Sequence, residues 1–406
     1  MKAINAVNLR HLRAFNMICE TGSISLAADH MNMSQPGISQ AVAKLEKRFS
    51  ARLLTRRTAG SFPTPEGEIL YRRAARLFRQ LREAVLAVGG RSLIRQPDAI
   101  DPILKRMTAV QLRALRLLSR YGTLREAAQA ESISLSTLHR AAHDLESNIG
   151  VTLYLRGAAG FTLSEQGREL ARRCQVALNE IFQAEEEIVD HTRSTGGRVA
   201  VATLPLVRTA FLAQAISYAK AERPDLEFKI LDGAYEAMLA ALTRGDCDML
   251  FGALRGPAPS PHVIERKLFD NPYAIVGRAD HPLNRADVTR QELARMDWVI
   301  PRHGTPIRDA FEQIFASIDV TPKVDIEASS MVLIRSLLLD SDRLTLLSRR
   351  QIAVDERAGL LGVIPYPLPE TSRPIGITTR ADWLPSPGQR SFLGAVERAL
   401  KQLDTM

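Results

Sequence analysis

Between Ser34 and Arg57 the chain gathers groups able to hold an anion or read the edge of a base. Ser34, Gln35, Pro36, Gly37, Ser39, Gln40 and Lys44 form one run, and Arg52, Arg56 and Arg57 follow it. Glutamine can meet adenine at two points and serine serves several base edges, whereas arginines and helix N-termini hold phosphates without reading sequence. A second set lies far downstream: Thr203-Leu204-Pro205, His303, Thr305 and Ser329-Ser330. These residues end strands or open helices, and their hydroxyls and backbone N–H groups suit a small carboxylate or a sugar-like polyol. Arg208 and Arg302 could add charge for an anion, although placement on the surface explains them better. Catalytic chemistry finds no comparable footing. The sequence has no Gly-rich phosphate loop, no GxSxG elbow and no HExxH pair, and its eight histidines are scattered. Asp246 and Asp248 are a close carboxylate pair, read as a solvated loop. No catalytic residue, cofactor or metal ligand is therefore expected, and the chain is not expected to be an enzyme.

Charge supports the first set. Of the net +9, residues 1–106 carry 18 Lys+Arg against 8 Asp+Glu, a net of +10; residues 107–197 carry 10 against 11; residues 198–406 carry 26 against 26. A basic first quarter on a neutral body reads as an anion-binding module, with nucleic acid the favoured anion. The 406 residues, 45% hydrophobic and 24% charged, suit two to four folded domains. The polar start lacks the apolar run of a signal peptide, and no uncharged apolar stretch is long enough for a membrane span. Cys19, Cys174 and Cys247 are odd in number and far apart, which fits buried thiols in a reducing, cytoplasmic setting.

The elements that must position these groups come in duplicate. Residues 12–67 align without gaps on 112–167, with 15 identities in 56 positions, among them Gly22/Gly122, Ala27/Ala127, Ala28/Ala128, Ser34/Ser134, Leu45/Leu145, Gly60/Gly160 and Gly67/Gly167. Two copies at a period of 100 residues make a duplicated domain rather than a solenoid. Each copy reads as a winged helix-turn-helix. Leu9, Leu12, Phe15 and Ile18 form the first helix, closed by Gly22; Ser23 caps a second, short helix. Asn32-Met33 turns the chain, Ser34 caps a third helix with Pro36 in its first turn, and Ile38, Val42 and Leu45 bury one face of it. That leaves Gln35, Ser39, Gln40 and Lys44 on other faces, with a wing over Gly60–Thr64. Third helices of this kind present their N-terminal residues to the major groove. A long amphipathic helix follows each copy, over Glu66–Val88 and Glu165–His191. Helices of that length need a partner. Dimerisation is the expected role, with packing of one on the other inside a chain as the alternative. Residues 91–106, with two prolines, read as a linker.

The run SQPGISQAVAKLEKRFSARLLTRR, 34–57, resembles the DNA-binding module of LysR-type transcriptional regulators, and Pro63-Thr64-Pro65-Glu66-Gly67 resembles the entry to their linker helix. Two departures stand out. The family normally carries one module, and here there are two. The second keeps the apolar frame but loses the polar face: Leu135, His139, Arg140, Asp144, Thr152 and Gly157 stand where the first has Gln35, Ser39, Gln40, Lys44, Arg52 and Arg57. Most DNA affinity is therefore expected from the first copy, where Ser23, Arg52, Arg56 and Arg57 join the third helix.

From Arg198 short β runs alternate with helices, the pattern of a parallel or mixed α/β sheet. A break near Gly277 and a return near Pro374 divide it into two lobes, 198–276 with 375–406, and 277–374. This is similar to the family's sensing domain, which shares its bilobed plan with periplasmic binding proteins, and by that resemblance the second set of residues converges on an interlobe cleft. The expected fold is multidomain: two all-α winged helix-turn-helix domains, 1–65 and 107–164, long helices at 66–90 and 165–195, and a bilobed α/β effector-binding domain, 198–406. The resemblance implies a homodimer or homotetramer on double-stranded promoter DNA, a small-molecule effector that biases the spacing of the heads, and contact with RNA polymerase. The competing readings are a solute-binding or enzymatic protein whose helical N-terminus does not bind DNA, and a DNA-packaging protein.

Overall fold

The computed structural model describes residues 7–95, 97–157, 160–193, 197–207, 210–256, 259–316, 320–368 and 372–403. They fold as two compact units that meet in sequence at Arg198 and Val199.

The first unit is the duplicated part. Copy one runs α1 (Leu9–Thr21), α2 (Ile24–Met31), α3 (Gln35–Phe49), β1 (Leu54–Arg57), β2 (Gly60–Pro63) and α4 (Pro65–Arg95). A short α5 (Ile100–Arg106) intervenes. Copy two runs α6 (Ala109–Tyr121), α7 (Leu124–Glu131), α8 (Leu135–Ile149), β3 (Tyr154–Gly157), β4 (Gly160–Leu163) and α9 (Glu165–Arg193). The caps explain the boundaries. Asn8, Ser23 and Ser34 each accept a hydrogen bond from a first-turn amide of α1, α2 and α3, and Gly22 and Asn32 take left-handed conformations that end α1 and α2. Thr108, Thr123 and Ser134 do the same for copy two. The buried stripe of copy one, Leu12, Phe15, Ile18, Ile38, Val42 and Leu45, is the one the helical spacing predicts. Each copy closes on the same contact. A Cβ on Gly67 would stand 2.0 Å from the Leu53 carbonyl oxygen, and one on Gly167 would stand 2.1 Å from that of Leu153. Only glycine lets the long helix leave so close to the wing.

The long helices α4 and α9 pack on each other, antiparallel, within the chain. As residue numbers rise along α4 they fall along α9: Glu66 meets His191, Arg76 meets Glu180, and Gln80 also meets Glu180. Leu70, Ala74, Leu77, Leu81, Ala84 and Val88 are buried on α4; Leu170, Cys174, Ala177, Ile181, Ala184 and Ile188, their equivalents at an offset of 100, are buried on α9. The apolar stripe expected to join two chains is thus covered inside one. The expected linker 91–106 is corrected as well. α4 continues to Arg95 through a kink at Gly90 (φ 60°), and residues 100–106 form α5, which buries Ile100, Ile103 and Leu104. Pro102 sits in the first turn of α5, where its missing N–H costs nothing.

The second unit has two lobes. The first holds a five-stranded sheet in the order β6-β5-β7-β14-β8: β5 (Arg198–Thr203), β6 (Glu227–Asp232), β7 (Met249–Ala253), β8 (Val263–Asn271) and the returning β14 (Arg373–Arg380). β5 and β7 are parallel; β14 is antiparallel to β7 and β8. α10 (Ala210–Glu222) and α16 (Pro387–Leu403) pack together, and α11 (Tyr235–Arg244) joins β6 to β7. The second lobe holds β9 (Tyr273–Arg278), α12 (Arg290–Ala294), β10 (Asp297–Ile300), α13 (Pro306–Phe315), β11 (Lys323–Glu327), α14 (Met331–Leu339), β12 (Thr345–Ser348), α15 (Arg349–Arg357) and β13 (Leu361–Val363). β9 lies between β12 and β13, β10 pairs with β11, and a bridge from Trp298 to Leu344 connects the two groups. The chain crosses between lobes at Pro272, because Tyr273 to Val276 pair with Ser348 to Thr345. The break anticipated at 276/277 therefore lies four residues too late. β8, absent from the sequence reading, is an edge strand whose charged residues hide its alternation. Asp248, read as a solvated carboxylate, is buried and accepts the Ala200 amide at 2.8 Å.

Candidate nucleic-acid interface and effector cleft

In the first head, α3 and the wing enclose an open groove of about 490 Å³, lined by Ile24, Gln35, Pro36, Ser39, Arg56, Arg57, Thr58, Gly60 and Ser61. The β1–β2 hairpin pairs Arg57 with Gly60 and Arg56 with Ser61, so both arginines stand at the wing's end beside the start of α3. The wing is seated on the first turn of the fold: the Ser61 amide donates to the Gly22 carbonyl at 2.9 Å, and a Cβ on Gly60 (φ 138°) would meet that same oxygen at 2.4 Å. Gln35 is held by its Nε2 donating to Ser25 Oγ at 3.0 Å, and the Arg57 guanidinium lies 5.9 Å from the Phe62 ring centre. Gln40 and Lys44 are exposed one and two turns further along α3 from Pro36, on the same side of the helix. Lys44 also bears on His11, whose pKa is lowered first by burial and then by the charges of Lys44 and Arg10. The surface thus offers amide and hydroxyl groups at a helix N-terminus flanked by fixed cations, which is what a duplex edge requires.

Three members of the expected DNA-facing set are used structurally. Ser23 Oγ accepts the Leu26 amide at 3.3 Å, Ser34 Oγ accepts the Gly37 amide at 3.2 Å, and the Arg52 carbonyl accepts Thr64 Oγ1 at 2.6 Å. Ser23, Ser34 and Arg52 do not line the groove, although the Arg52 side chain is exposed.

The second head fills the equivalent space. Gln35, Ser39, Arg57 and Ser61 of the groove correspond to Leu135, His139, Gly157 and Phe161. His139 packs edge-on against Phe161 at 5.1 Å, and Tyr154 stacks on Phe161 at 5.1 Å. An aromatic cluster occupies what is a polar groove in the first head. Arg140 and Arg156 remain exposed.

In the second unit a cavity of about 680 Å³ lies between the lobes. Leu204, Pro205, Asp232–Glu236, Ala253 and Arg255 line one side; Pro301, Arg302, Gly304–Ile307, Ser329–Val332, Ile334, Thr345–Leu347 and Gln351 line the other. Leu204, Pro205, Thr305, Ser329 and Ser330 of the expected set are brought together there. Thr203 and His303 are not. Thr203 is buried in β5 with its hydroxyl turned to the Leu204 carbonyl at 3.4 Å, and His303 is exposed beside Glu312 at 3.2 Å. Arg208 lies outside the described residues. The starts of α11, α13 and α14 all border the cavity. Thr305 and Ser330 cap the latter two by accepting the Arg308 and Leu333 amides, so each hydroxyl has a structural task already. Three converging helix N-termini make the cavity favourable to negative charge. The sequence reading missed Arg255, whose guanidinium stacks 3.9 Å from the Tyr235 ring centre and reaches Glu236 at 3.5 Å. It also missed Tyr235, whose hydroxyl is buried at the rim without a hydrogen-bond partner and whose pKa burial raises. Neither residue belongs to a recognisable motif; only the end of β6 before α11 points to the place.

Among the described residues no group of side chains could hold a metal ion, and no helix is long and apolar enough to cross a membrane. The three cysteines are free thiols, with Cys174 and Cys247 buried; burial pushes all three up to about 12.

The comparisons with known proteins agree with this geometry. Residues 9–68 and 110–168 each match the bacterial regulatory helix-turn-helix protein model of the lysR family, and residues 192–401 match the LysR substrate binding domain. The regulator GalR of Pseudomonas putida is 28% identical over 396 residues, 97% of this chain and 98% of its own length. PcaQ of Agrobacterium fabrum is 27% identical over 279 residues, 68% of this chain and 90% of its own. A full-length OxyR variant from Pseudomonas aeruginosa shares the fold at a TM-score of 0.52 and 20% identity, covering 73% of this chain and 95% of that one. CbnR does so at 0.50 and 15%, covering 71% and 98%. Members of this family bind promoter DNA, respond to small molecules and form oligomers. The chain belongs to the LysR family of transcriptional regulators, carrying the family's DNA-binding module twice ahead of one effector-binding domain.

Proposed function

We propose that the first head supplies most of the affinity for promoter DNA and that the second is an auxiliary reader or spacer. The observation that carries this reading is the groove between α3 and the wing, where Gln35 and Ser39 face Arg56 and Arg57. The corresponding space in copy two holds the His139–Phe161–Tyr154 cluster. Nonspecific affinity follows the number of phosphates neutralised, and only copy one has the excess cations. In this reading Gln35, Pro36, Ser39, Gln40 and Lys44 meet the major groove, and Arg52, Arg56 and Arg57 hold phosphates. Ser23, Ser34 and Gly37 act through the helix N-termini they build. The effector is a small organic anion, a carboxylate in preference to a sugar, held between Arg255 or Arg302 and the starts of α11, α13 and α14. Its binding favours one arrangement of the lobes and so shifts a population of promoter-bound states in the cytoplasm, changing contact with RNA polymerase. Two experiments test the two halves. Gel shifts with Gln40→Ala, Lys44→Ala and Arg57→Ala should lose operator binding, and Arg140→Ala and Arg156→Ala should lose less; equal losses reject the asymmetry. Calorimetry of the full chain against small organic acids and sugars should find a ligand among the acids whose affinity falls with Arg302→Ala; a neutral sugar as the tightest ligand rejects the anion assignment.

A further inference from the structure

The apolar stripes of α4 and α9 are equivalent position by position, so burial of hydrophobic surface does not decide which helix pairs with which. The charges do. Arg73 is buried and donates from Nε to Glu187 at 2.9 Å and from Nη1 to Glu180 at 2.8 Å. Arg72 reaches Glu187 at 2.7 Å, Arg76 reaches Glu180 at 3.1 Å, and Arg48 at the end of α3 makes a two-point pair with Glu185 at 2.8 and 2.9 Å. In each of these pairs the cation belongs to copy one and the carboxylate to copy two; the more exposed Glu66–His191 contact, at 3.5 Å, runs the other way. At an offset of 100 residues, Gln80, Val85 and Ala87 stand where copy two has Glu180, Glu185 and Glu187. A pair of α4 helices meeting in the same register would therefore bury two copies of Arg73 with no carboxylate to receive them. A pair of α9 helices would set Glu180 against Glu180, with Val176 where copy one has Arg76 and with Arg172 and Arg173 already engaged by Glu169 of their own helix. Burying an unpaired charge is strongly unfavourable, so both like-with-like pairings are selected against. The short α5 adds a second tie. Arg13 of α1 donates to the Leu104 and Lys105 carbonyls, Asn148 of α8 donates to the Ile103 carbonyl at 2.9 Å, and Arg106 donates to Asn148 at 2.6 Å.

We propose that α4 is matched to the α9 of its own chain, so that a single chain is a complete two-headed DNA reader. Its operator is then two unlike half-sites in fixed order rather than a palindrome of equal ones. The part concerning DNA rests on the reading above; the pairing of helices does not, and it is tested without DNA.

The test uses the full chain carrying Glu66→Cys and His191→Cys, a partly exposed pair across the two helices that leaves Arg73, Glu180 and Glu187 in place, prepared with natural and with 15N nitrogen, mixed in equal amounts and treated with a short bismaleimide. Mass spectrometry of the linked peptides should find position 66 joined to position 191 with both halves carrying the same isotope. Mixed-isotope 66–191 links, or no 66–191 link, overturn the proposal. A second set keeps the question open to test should the cysteine chain not fold. Arg73→Glu should lose operator binding, and Glu180→Arg with Glu187→Arg should restore it only when placed in the same chain. Restoration by a second chain overturns the proposal. Correct helix links with no preference for any promoter fragment would instead count against the DNA reading alone.

Discussion

Gln80 and Glu180 hold the same place in the two copies and hydrogen-bond to each other, Nε2 to Oε1, at 3.4 Å. Equivalent positions meet only near an axis that exchanges the copies, so the first unit carries an approximate twofold within one chain. The symmetry is broken by charge. Position 69/169 is Ile69 in copy one and Glu169 in copy two. Glu169 engages Arg172 at 2.7 Å and Arg173 at 2.6 Å along its own helix. With isoleucine at 69, Arg72 and Arg73 have no such acceptor and cross to α9 instead.

Equivalent arginines should therefore differ in cost. Arg73→Ala leaves Glu180 and Glu187 buried beside a void, and such losses run to about 3–5 kcal/mol. Arg173→Ala removes a partly exposed pair within one helix, worth about 1 kcal/mol or less. Urea unfolding of the full chain, followed by helix signal, measures both.

Glu169 gives a pH signature. Its hydrogen bond to Arg172, with help from Arg173, lowers its pKa from 4.5 to about 2 against the opposing effect of burial. A depressed carboxylate stabilises the fold above its unfolded pKa, and that contribution is lost as pH falls through the folded one. The stability difference between the native chain and Glu169→Gln should be constant above about pH 5 and shrink from about 4.5 towards 2. A difference that grows on acidification would contradict the assignment.

The wing can be displaced without touching a DNA-facing side chain. Gly60→Ala sets a Cβ 2.4 Å from the Gly22 carbonyl oxygen, at a φ that L residues rarely adopt. The wing must move, taking Arg56 and Arg57 with it. Operator affinity should fall at least tenfold in gel shifts, and the melting temperature should fall by a few degrees, as for a strain of about 1–3 kcal/mol.

Salt separates the roles of the cations. Removing one phosphate contact lowers the slope of log affinity against log salt by about 0.9. Arg56→Ala and Arg57→Ala should each show that change on any duplex. Gln40→Ala should leave the slope alone and narrow the gap between operator and random DNA.

Much of this was legible in the sequence because it depends on local rules. Ser23, Ser34 and Gly22 mark helix ends by their own chemistry, and the 100-residue repeat transfers each boundary to the second copy. What was missed depends on contacts between distant residues. The stripe of α4 announces that a partner exists, but α9 has the same stripe, so apolar periodicity cannot name it; the replacement of Ile69, Gln80, Val85 and Ala87 by glutamate at 169, 180, 185 and 187 carries that information. Pro97 and Pro102 suggested a linker because proline ends helices, yet Pro102 in a first turn is compatible with α5. Thr203 has the right chemistry for a ligand and sits at the right strand, but the β period turns its hydroxyl into the core. In the cleft, the capping pattern at helix starts points to the hydroxyls, while Arg255 and Tyr235 reach the cavity only through the fold.

Footprinting of the full chain on promoter fragments at physiological ionic strength, repeated with Gln40→Ala and Lys44→Ala together, bears on both heads at once. A discrete protected segment with two unlike halves is expected, lost in the variant while the chain stays folded. Uniform coating of any duplex, or a footprint that the variant leaves intact, would contradict that expectation.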